Sequence, residues 1–408
     1  MTNATQKSPV LKTVTRVLKK NTMVVALVAV VLLFQALIMT VGGKPFEQAL
    51  LTPANITNII SQNSYVVILA VGMLLCILTG GNIDLSVGSI VALVGAVAGV
   101  LIVNLKVNIY VSILICLAVG IAIGVWQGFW IAYMRIPPFI VTLAGMLLWR
   151  GLAQVILNGL TISGFPESYL VYFTSYLPLY DKPAEHKAAI LGVTLAVGAV
   201  VCAVYAATQA ATRIKRKKKN YETQSLFPFV ARTAALCALV MVVAFMLGSH
   251  KGLPTILILL AIIVLIYGYY TENTVPGRHL YAMGGNEKAA KLSGIDTNRT
   301  MFFAYANMAF LAAVAALVVT ARFNSAAPAA GTSYEMDAIG ACFIGGASAY
   351  GGTGTVGGAV VGAIFMGVIN NGMSILGIDA NWQKVVKGLV LLAAVIFDVV
   401  SKRRAQAE

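Results

Sequence analysis

Charged side chains are scarce in this chain, and one common nucleotide-binding motif is missing. Charged residues are 11% of the 408 positions, against about 25% in an ordinary soluble domain. No G-x-x-x-x-G-K-[ST] motif occurs. Gly346 and Gly351 have its spacing, but Gly352 and Thr353 follow them. This chain therefore cannot bind ATP phosphates by the P-loop route.

Cysteine and histidine are also scarce. The five cysteines lie in apolar runs without Cys-x-x-Cys spacing, and the three histidines are far apart in predicted loops. Cysteines in such positions usually pack as small apolar residues. No grouping of nucleophile and base or of metal ligands stands out. The sequence therefore predicts no catalytic residue, no metal site and no cofactor on this chain, which disfavours a membrane-embedded enzyme.

Apolar residues are abundant, at 59% of the chain with a mean hydropathy of +0.87. A membrane-spanning helix needs about 20 apolar residues, so we predict an all-α polytopic membrane protein with a bundle of about 10–12 transmembrane helices. The run at 338–349 is too short to cross alone, and we expect a broken or half helix there. The candidate spans are 23–43, 56–80, 86–104, 108–132, 138–158, 188–208, 230–248, 254–271, 301–321, 338–349, 357–376 and 385–400.

The net charge of +15 is concentrated in strips between the apolar runs, and 18 of the 29 basic residues lie in four of them. This is the positive-inside pattern of a membrane protein and argues against nucleic acid as a partner. An even number of spans separates the strips, so we predict that all four are cytoplasmic, as are both termini. They are a basic N-terminus at 1–22, loops at 209–229 and 272–300, and a tail at 401–408.

The largest loop predicted on the external face is 159–187, within a transmembrane domain at 23–400. It is polar and rich in aromatic residues, which commonly anchor a protein at the membrane interface. The alternative is a landing surface for an external partner. The aromatic residues are Phe165, Tyr169, Tyr172, Phe173, Tyr176 and Tyr180.

The cytoplasmic stretch 277–294 has the signals of two short helices. Gly284-Gly285 would end the first, Asn286 can N-cap the second, and Gly294 suits its left-handed stop. Glu287 suits the positive end of the second helix. Two alanines and a leucine would give that helix a small apolar side for docking into a partner's groove, although an ordinary amphipathic connector would look similar.

Several stretches resemble the permeases of the ribose/xylose/galactose family of ATP-binding cassette (ABC) sugar importers. Residues 80–93 are similar to that family's Gly-Ile-Asp-Leu-Ser-Val-Gly motif, with Asn82 where glycine is usual. The length of 159–229 resembles the xylose and multiple-monosaccharide branch. Further matches occur in the family's order at 138–146, 277–294, 335–346, 371–373 and 382–388.

The resemblance implies a division of labour between subunits. Residues 277–294 would contact a separate ATP-binding cassette subunit, which would hold ATP and Mg. An extracytoplasmic sugar-binding protein would deliver the solute, and a second permease copy would complete a homodimer in the lipid of a bacterial inner membrane. The residues predicted to couple to the ATPase are Gly277, Arg278, Gly284, Gly285, Asn286, Glu287, Ala289, Ala290 and Gly294.

A monosaccharide path would need amide side chains for the hydroxyls and aromatic rings for the apolar C–H face. Asp84 or Ser86 could line it, although either could simply cap the following helix. The other polar candidates could equally form helix-to-helix hydrogen bonds. We expect Arg150 to pair with Glu335 or Asp337. The predicted path residues are Asp84, Ser86, Trp126, Gln127, Trp149, Asn158, Asn307, Asn370 and Asn371.

One alternative function is an ion-coupled secondary transporter of a small polar solute. Such transporters commonly have ionisable relays inside the membrane. The candidate spans here contain almost no carboxylates, which counts against ion coupling.

Overall fold

The computed structural model describes residues 22–179, 183–221 and 225–407, and α-helices dominate them. The predicted N-terminal strip lies outside the described residues except for Thr22, and Tyr180 lies outside them too. The helices are α1 (Thr22–Thr40), α2 (Pro53–Gln62), α3 (Ser64–Leu78), α4 (Val87–Gly99), α5 (Ile109–Ala132), α6 (Pro138–Leu157), α7 (Glu167–Thr174), α8 (Lys187–Lys218), α9 (Leu226–His250), α10 (Thr255–Asn273), α11 (Val275–Gly285), α12 (Glu287–Leu292), α13 (Thr297–Phe323), α14 (Tyr334–Ile344), α15 (Val356–Ile375) and α16 (Ala380–Ala407).

The all-α polytopic prediction is confirmed. In the described residues, nine helices are long and apolar enough to cross a membrane, and a bent pair could supply a tenth. Two further helices are not among these nine. The short α14 lies between α13 and α15 in the sequence, and the more polar α16 follows α15. Helix α16 continues to Ala407, so its backbone includes most of the predicted 401–408 tail.

Two predicted boundaries were wrong. The 56–80 run is not one straight span, because α2 and α3 meet at a 41° bend. The predicted 209–229 loop is mostly helical, since α8 runs on through the basic strip to Lys218 and α9 begins at Leu226. Lysine and arginine are good helix formers, and positive charge is favourable at a helix C-terminus.

The core is a group of closely packed helices. Helix α13 packs against α3, α4 and α5, and α3 is buried along nearly its whole length. Small residues allow this approach. A methyl group added at Gly120 would lie 2.4 Å from Ala313 Cβ, and one at Gly124 would lie 2.7 Å from Ala306 Cα. Close backbone contact of this kind is how membrane helices associate without a hydrophobic driving force between them.

The predicted half-helix is present as α14, with 11 residues. The chain reaches it by running back along α4 after α13 ends. A methyl group added at Gly99 would lie 3.0 Å from Ala326 Cβ, and one at Gly88 would lie 2.1 Å from Gly331 O. These two contacts are separated by about 16 Å along α4. The half-helix thus begins inside the bundle, beside the start of α4.

Two short antiparallel sheets close one face of the bundle. Strand β1 (Ile162–Ser163) pairs with β4 (Ser325–Ala326), and β2 (Tyr176–Leu177) pairs with β3 (Leu253–Pro254). These pairings tie the predicted external loop at 159–187 to the segments just before α10 and just after α13.

The aromatic residues of the external loop do not all behave as predicted. Phe165 and Tyr169 are buried, and the Tyr169 hydroxyl donates to Leu317 O at 2.8 Å. These two rings pack inside the protein, so they are neither membrane-interface anchors nor part of a landing surface. Tyr172 is exposed.

Candidate functional site

Five of the nine predicted path residues lie close together where α4 begins between α5 and α6. Asp84 Oδ1 accepts hydrogen bonds from the Ser86 backbone N at 2.8 Å and from Ser86 Oγ at 2.6 Å. Gln127 Nε2 donates to Ser86 Oγ at 2.6 Å. All three side chains are fully buried. Ser86 occupies the N-cap position of α4, but its hydroxyl makes these side-chain bonds and does not cap the helix.

Gly145 leaves room beside these side chains. A methyl group added at Gly145 would lie 2.6 Å from Gln127 Nε2, 3.1 Å from Trp149 Nε1 and 3.4 Å from Ser86 Cβ. The Trp149 ring packs edge-on against Trp126, with centroids 5.3 Å apart. A glycine at this position of α6 therefore lets amide, hydroxyl and indole groups meet. We call Asp84, Ser86, Gln127, Trp126 and Trp149, with Gly145, the α4 polar cluster.

The α4 polar cluster and its neighbour Ser89 have hydrogen-bonding capacity to spare. Within the described residues, four buried atoms there have no hydrogen-bond partner: Asp84 Oδ2, Ser89 Oγ, Gln127 Oε1 and Trp149 Nε1. Buried polar groups are normally paired, since leaving one unpaired costs roughly 1–3 kcal/mol. Two acceptors, an indole donor and a hydroxyl match the demands of a polyhydroxylated solute, and tryptophan rings offer apolar faces to its C–H groups.

The other four predicted path residues make contacts elsewhere. Asn158 ends α6 in the left-handed conformation, with φ of 49°. Asn307 Oδ1 accepts from the Tyr267 hydroxyl at 2.5 Å. Asn371 accepts from Asn55 Nδ2 at 2.8 Å and so ties α15 to α2, and Asn370 lies beside it on α15. The structure does not bring these four into the α4 polar cluster.

Arg150 forms no direct ion pair with Glu335 or Asp337 in the described residues, although Glu335 lies close enough for a coulombic interaction with it. Its guanidinium donates to the backbone carbonyls of Pro328 and Ala330, in the segment that leads to α14. Asp337 instead forms an ion pair with Lys387, whose Nζ lies 2.9 Å from Asp337 Oδ1. Residues 328–333 form turns rather than a regular helix, and two carbonyls of this segment point to Arg150.

The Asp337–Lys387 pair links three helices. Asp337 on α14 is fully buried, and the Lys387 side chain on α16 is 15% exposed. The Tyr65 hydroxyl at the start of α3 donates to Asp337 Oδ2 at 2.8 Å, and its ring stacks on Tyr334 at 3.8 Å. The pair fixes the half-helix between α3 and α16.

On the other face of the bundle, the 277–294 segment folds as predicted from its capping signals. Helix α11 ends at Gly285, and Asn286 Oδ1 accepts from Ala289 N at 3.0 Å as the N-cap of α12. Gly294 follows with φ of 85°. A methyl group added at Gly284 would lie 1.9 Å from Leu78 O, so this glycine lets α11 pack directly on the end of α3.

The remaining predicted coupling residues divide into packed and exposed positions. A methyl group at Gly277 would meet Tyr270 O at 2.1 Å, whereas Gly285 has open space around it and Arg278 is exposed.

Burial raises the pKa of Tyr281 on α11, whose hydroxyl donates to Gly354 O at 2.9 Å, so the phenol stays neutral.

One part of the predicted apolar side is wrong. Ala290 is buried at 5% exposure, so it holds α12 onto the bundle and is not presented to a partner. Ala289 and Leu292 are exposed, Leu292 at 90%. Ala289 and Leu292 therefore form the part of the predicted apolar side that a partner could reach.

Arg135 is a contact residue that the sequence analysis missed. It lies between α5 and α6 and donates to Glu287 Oε1 at 2.7 Å, and its guanidinium also bonds to Asn298 Oδ1. Its φ is 57°, uncommon for a residue with a Cβ. The signal that could have identified Arg135 is that it is a single basic residue in the otherwise apolar connection between α5 and α6.

The chain resembles known transport proteins along nearly its whole length. Residues 55–395 match the family described as "Branched-chain amino acid transport system / permease component". The chain belongs to this permease family. It is 36% identical to the xylose transport system permease protein XylH of Escherichia coli K12, over 94% of this chain and 92% of that protein.

Two further relatives agree. The XylH protein of Haemophilus influenzae is 36% identical over 92% of this chain and 97% of its own length. The ribose import permease protein RbsC of E. coli K12 is 35% identical over 84% of this chain and 85% of its own length. No solved structure matches the chain. The α4 polar cluster and the 277–294 segment both lie within the matched region of this permease.

Proposed function

We propose that this chain is the permease subunit of an ATP-driven bacterial importer for a monosaccharide of the xylose type. The similarity to xylose permeases over 94% of the chain carries the proposal. The missing P-loop supports it, because ATP and Mg would then bind to a separate ATPase subunit. A second permease copy, an extracytoplasmic sugar-binding protein and the lipid of the inner membrane complete the expected assembly.

In this proposal the α4 polar cluster contacts the sugar during passage. Asp84 Oδ2 and Gln127 Oε1 accept hydrogen bonds from sugar hydroxyls, and Trp149 Nε1 donates one. These atoms are buried without partners in the described residues. The α4 polar cluster would contact only a few of the sugar's hydroxyls. Such weak binding suits a permease that receives its sugar from a binding protein, because tight binding inside the path would slow release of the sugar.

The exposed face of α12 docks on the ATPase. Ala289 and Leu292 point away from the bundle, and the capped N-terminus holds the helix in place. Arg135 and Glu287 connect α12 to the α5–α6 connection, and Gly284 packs on the end of α3. Movement of α11 and α12 can thus reach α3, α5 and α6, of which α5 and α6 bear part of the α4 polar cluster.

Xylose uptake by cells that express this chain tests the proposal. In a strain that lacks its own xylose permeases but expresses this chain with its cognate ATPase and binding protein, we expect the wild-type chain to restore xylose uptake. We expect Gly145→Val to lower uptake at least about tenfold, because the valine fills the space between Gln127 and Trp149. The nearest atoms are side-chain ends, so the helix itself can stay in place.

Gly151→Val is the matched control. Gly151 lies on the same helix, and a methyl group there would have no atom within 4 Å. We expect near-normal uptake from this variant, with membrane levels of both variants checked by immunoblot. Failure of the wild-type chain to take up xylose, or equal uptake by the two variants, would contradict the proposal.

A further inference from the structure

The end of the α8–α9 hairpin far from Lys187 carries a cavity of about 170 Å³. Arg213 and Arg216 line it from α8, and Arg232 lines it from α9, together with Gln209 and Thr233. Residues three, four or seven apart share one helix face. Gln209, Arg213 and Arg216 meet this rule on α8, and Arg232 faces the same space from α9, so three arginines line it. We call this space the arginine cavity.

Nothing in the described hairpin neutralises these arginines. Residues 187–221 and 225–250 contain no aspartate or glutamate. The Arg213 guanidinium carbon lies 4.8 Å from the centroid of the Phe229 ring, a cation–π contact that orients the group without cancelling its charge. The arginine cavity is therefore a site of concentrated positive charge with hydroxyl and amide donors beside it.

The depth of the arginine cavity matches the headgroup region of a bilayer. At 1.5 Å per residue, Arg213 lies roughly 39 Å along α8 from Lys187, and Arg232 roughly 27 Å along α9 from His250. A bilayer has a hydrocarbon core of about 30 Å and a thickness of about 40–45 Å with headgroups. The cavity therefore lies at the boundary between acyl chains and headgroups.

The hairpin sides next to the cavity are apolar and exposed. Val200 and Val204 on α8 and Leu239 on α9 are 62%, 59% and 60% exposed. The hairpin packs against the rest of the chain mainly through α9 and α2. An acyl chain can therefore extend along the hairpin from a headgroup held in the cavity.

We propose that the arginine cavity binds the phosphate of an anionic membrane lipid in the cytoplasmic leaflet. Arginine forms paired hydrogen bonds to phosphate oxygens, and basic pockets between membrane helices on the cytoplasmic side suit such headgroups. The bound lipid adds a further link between the two helices beside the Arg213–Phe229 contact. This inference does not depend on which solute the permease carries.

Native mass spectrometry of the full-length purified chain tests the inference. Phosphatidylglycerol is titrated into the protein, with zwitterionic phosphatidylcholine and inorganic phosphate titrated separately. We expect retention of phosphatidylglycerol and not of phosphatidylcholine. We expect Arg213→Gln with Arg232→Gln to weaken phosphatidylglycerol binding about tenfold or more, because two charge-assisted contacts are lost.

The matched control is Lys217→Gln with Lys218→Gln, which removes the same amount of charge from the same end of the hairpin, at positions that do not line the cavity. We expect this control to retain the lipid. An equal loss in both double variants, unchanged binding after the arginine substitutions, or displacement of the lipid by millimolar inorganic phosphate would overturn the inference. If the glutamine variant does not fold, Arg213→Lys with Arg232→Lys keeps the charges but loses the paired geometry, and weaker lipid binding is again expected.

Discussion

Replacing both Ala289 and Leu292 with arginine is expected to abolish co-purification of the ATPase and ATP-driven uptake, while the permease still reaches the membrane. Both side chains are exposed on α12, Leu292 at 90%. A charge forced into a partner's groove without a counterion carries a large desolvation cost. Loss of a hot-spot residue at the centre of an interface costs about 2 kcal/mol or more; if Leu292 is such a residue, association weakens at least about thirtyfold.

Two further variants separate docking from folding. Leu292→Met keeps an apolar side chain of similar volume, and we expect near-normal ATPase association. Ala290→Arg alters a buried alanine that holds α12 on the bundle, so we expect less folded permease. An intact complex in the double arginine variant would show that the ATPase docks elsewhere.

Lys387→Met is expected to destabilise the permease by about 3–5 kcal/mol, because removing one member of a buried ion pair leaves the other charge unpaired. Asp337 is fully buried, and its remaining partner would be the Tyr65 hydroxyl. The measurement is thermal unfolding of the purified chain in detergent, where we expect a clear fall in the melting temperature and less folded protein.

The control lies on the same helix. Lys384 is exposed, and we expect Lys384→Met to leave the melting temperature almost unchanged. Combining Lys387→Met with Asp337→Asn removes both charges and should recover much of the lost stability. If Lys387→Met and Lys384→Met behave alike, the pair does not hold α14 in place.

Local signals in the sequence predicted the parts of the structure that depend on local chemistry. The short run at 338–349 predicted the half-helix, and Asn286 and Gly294 predicted the bounds of α12. Helix length was harder to predict where polar residues continue a helix, as in the basic end of α8. The bend between α2 and α3 could not be predicted, because the apolar run at 56–80 contains no proline or other strong helix-breaking signal at the bend.

The site was predictable in residue type but not in arrangement. Asp84, Ser86, Gln127 and Trp149 were selected as polar or aromatic residues in apolar runs, and the structure brings them together. Neither the space at Gly145 nor the pairing of Asp337 with Lys387 could be predicted, because both depend on how distant helices are rotated against each other. The burial of Ala290 was missed for the same reason.

The most direct test of the central claim is transport by purified components in liposomes. The permease, its ATPase and the sugar-binding protein are reconstituted, and labelled xylose accumulation is measured with either ATP or an ion gradient as the energy source. We predict uphill uptake only when all three proteins and ATP are present. Uphill uptake by the permease alone, driven by a proton or sodium gradient, would contradict this account.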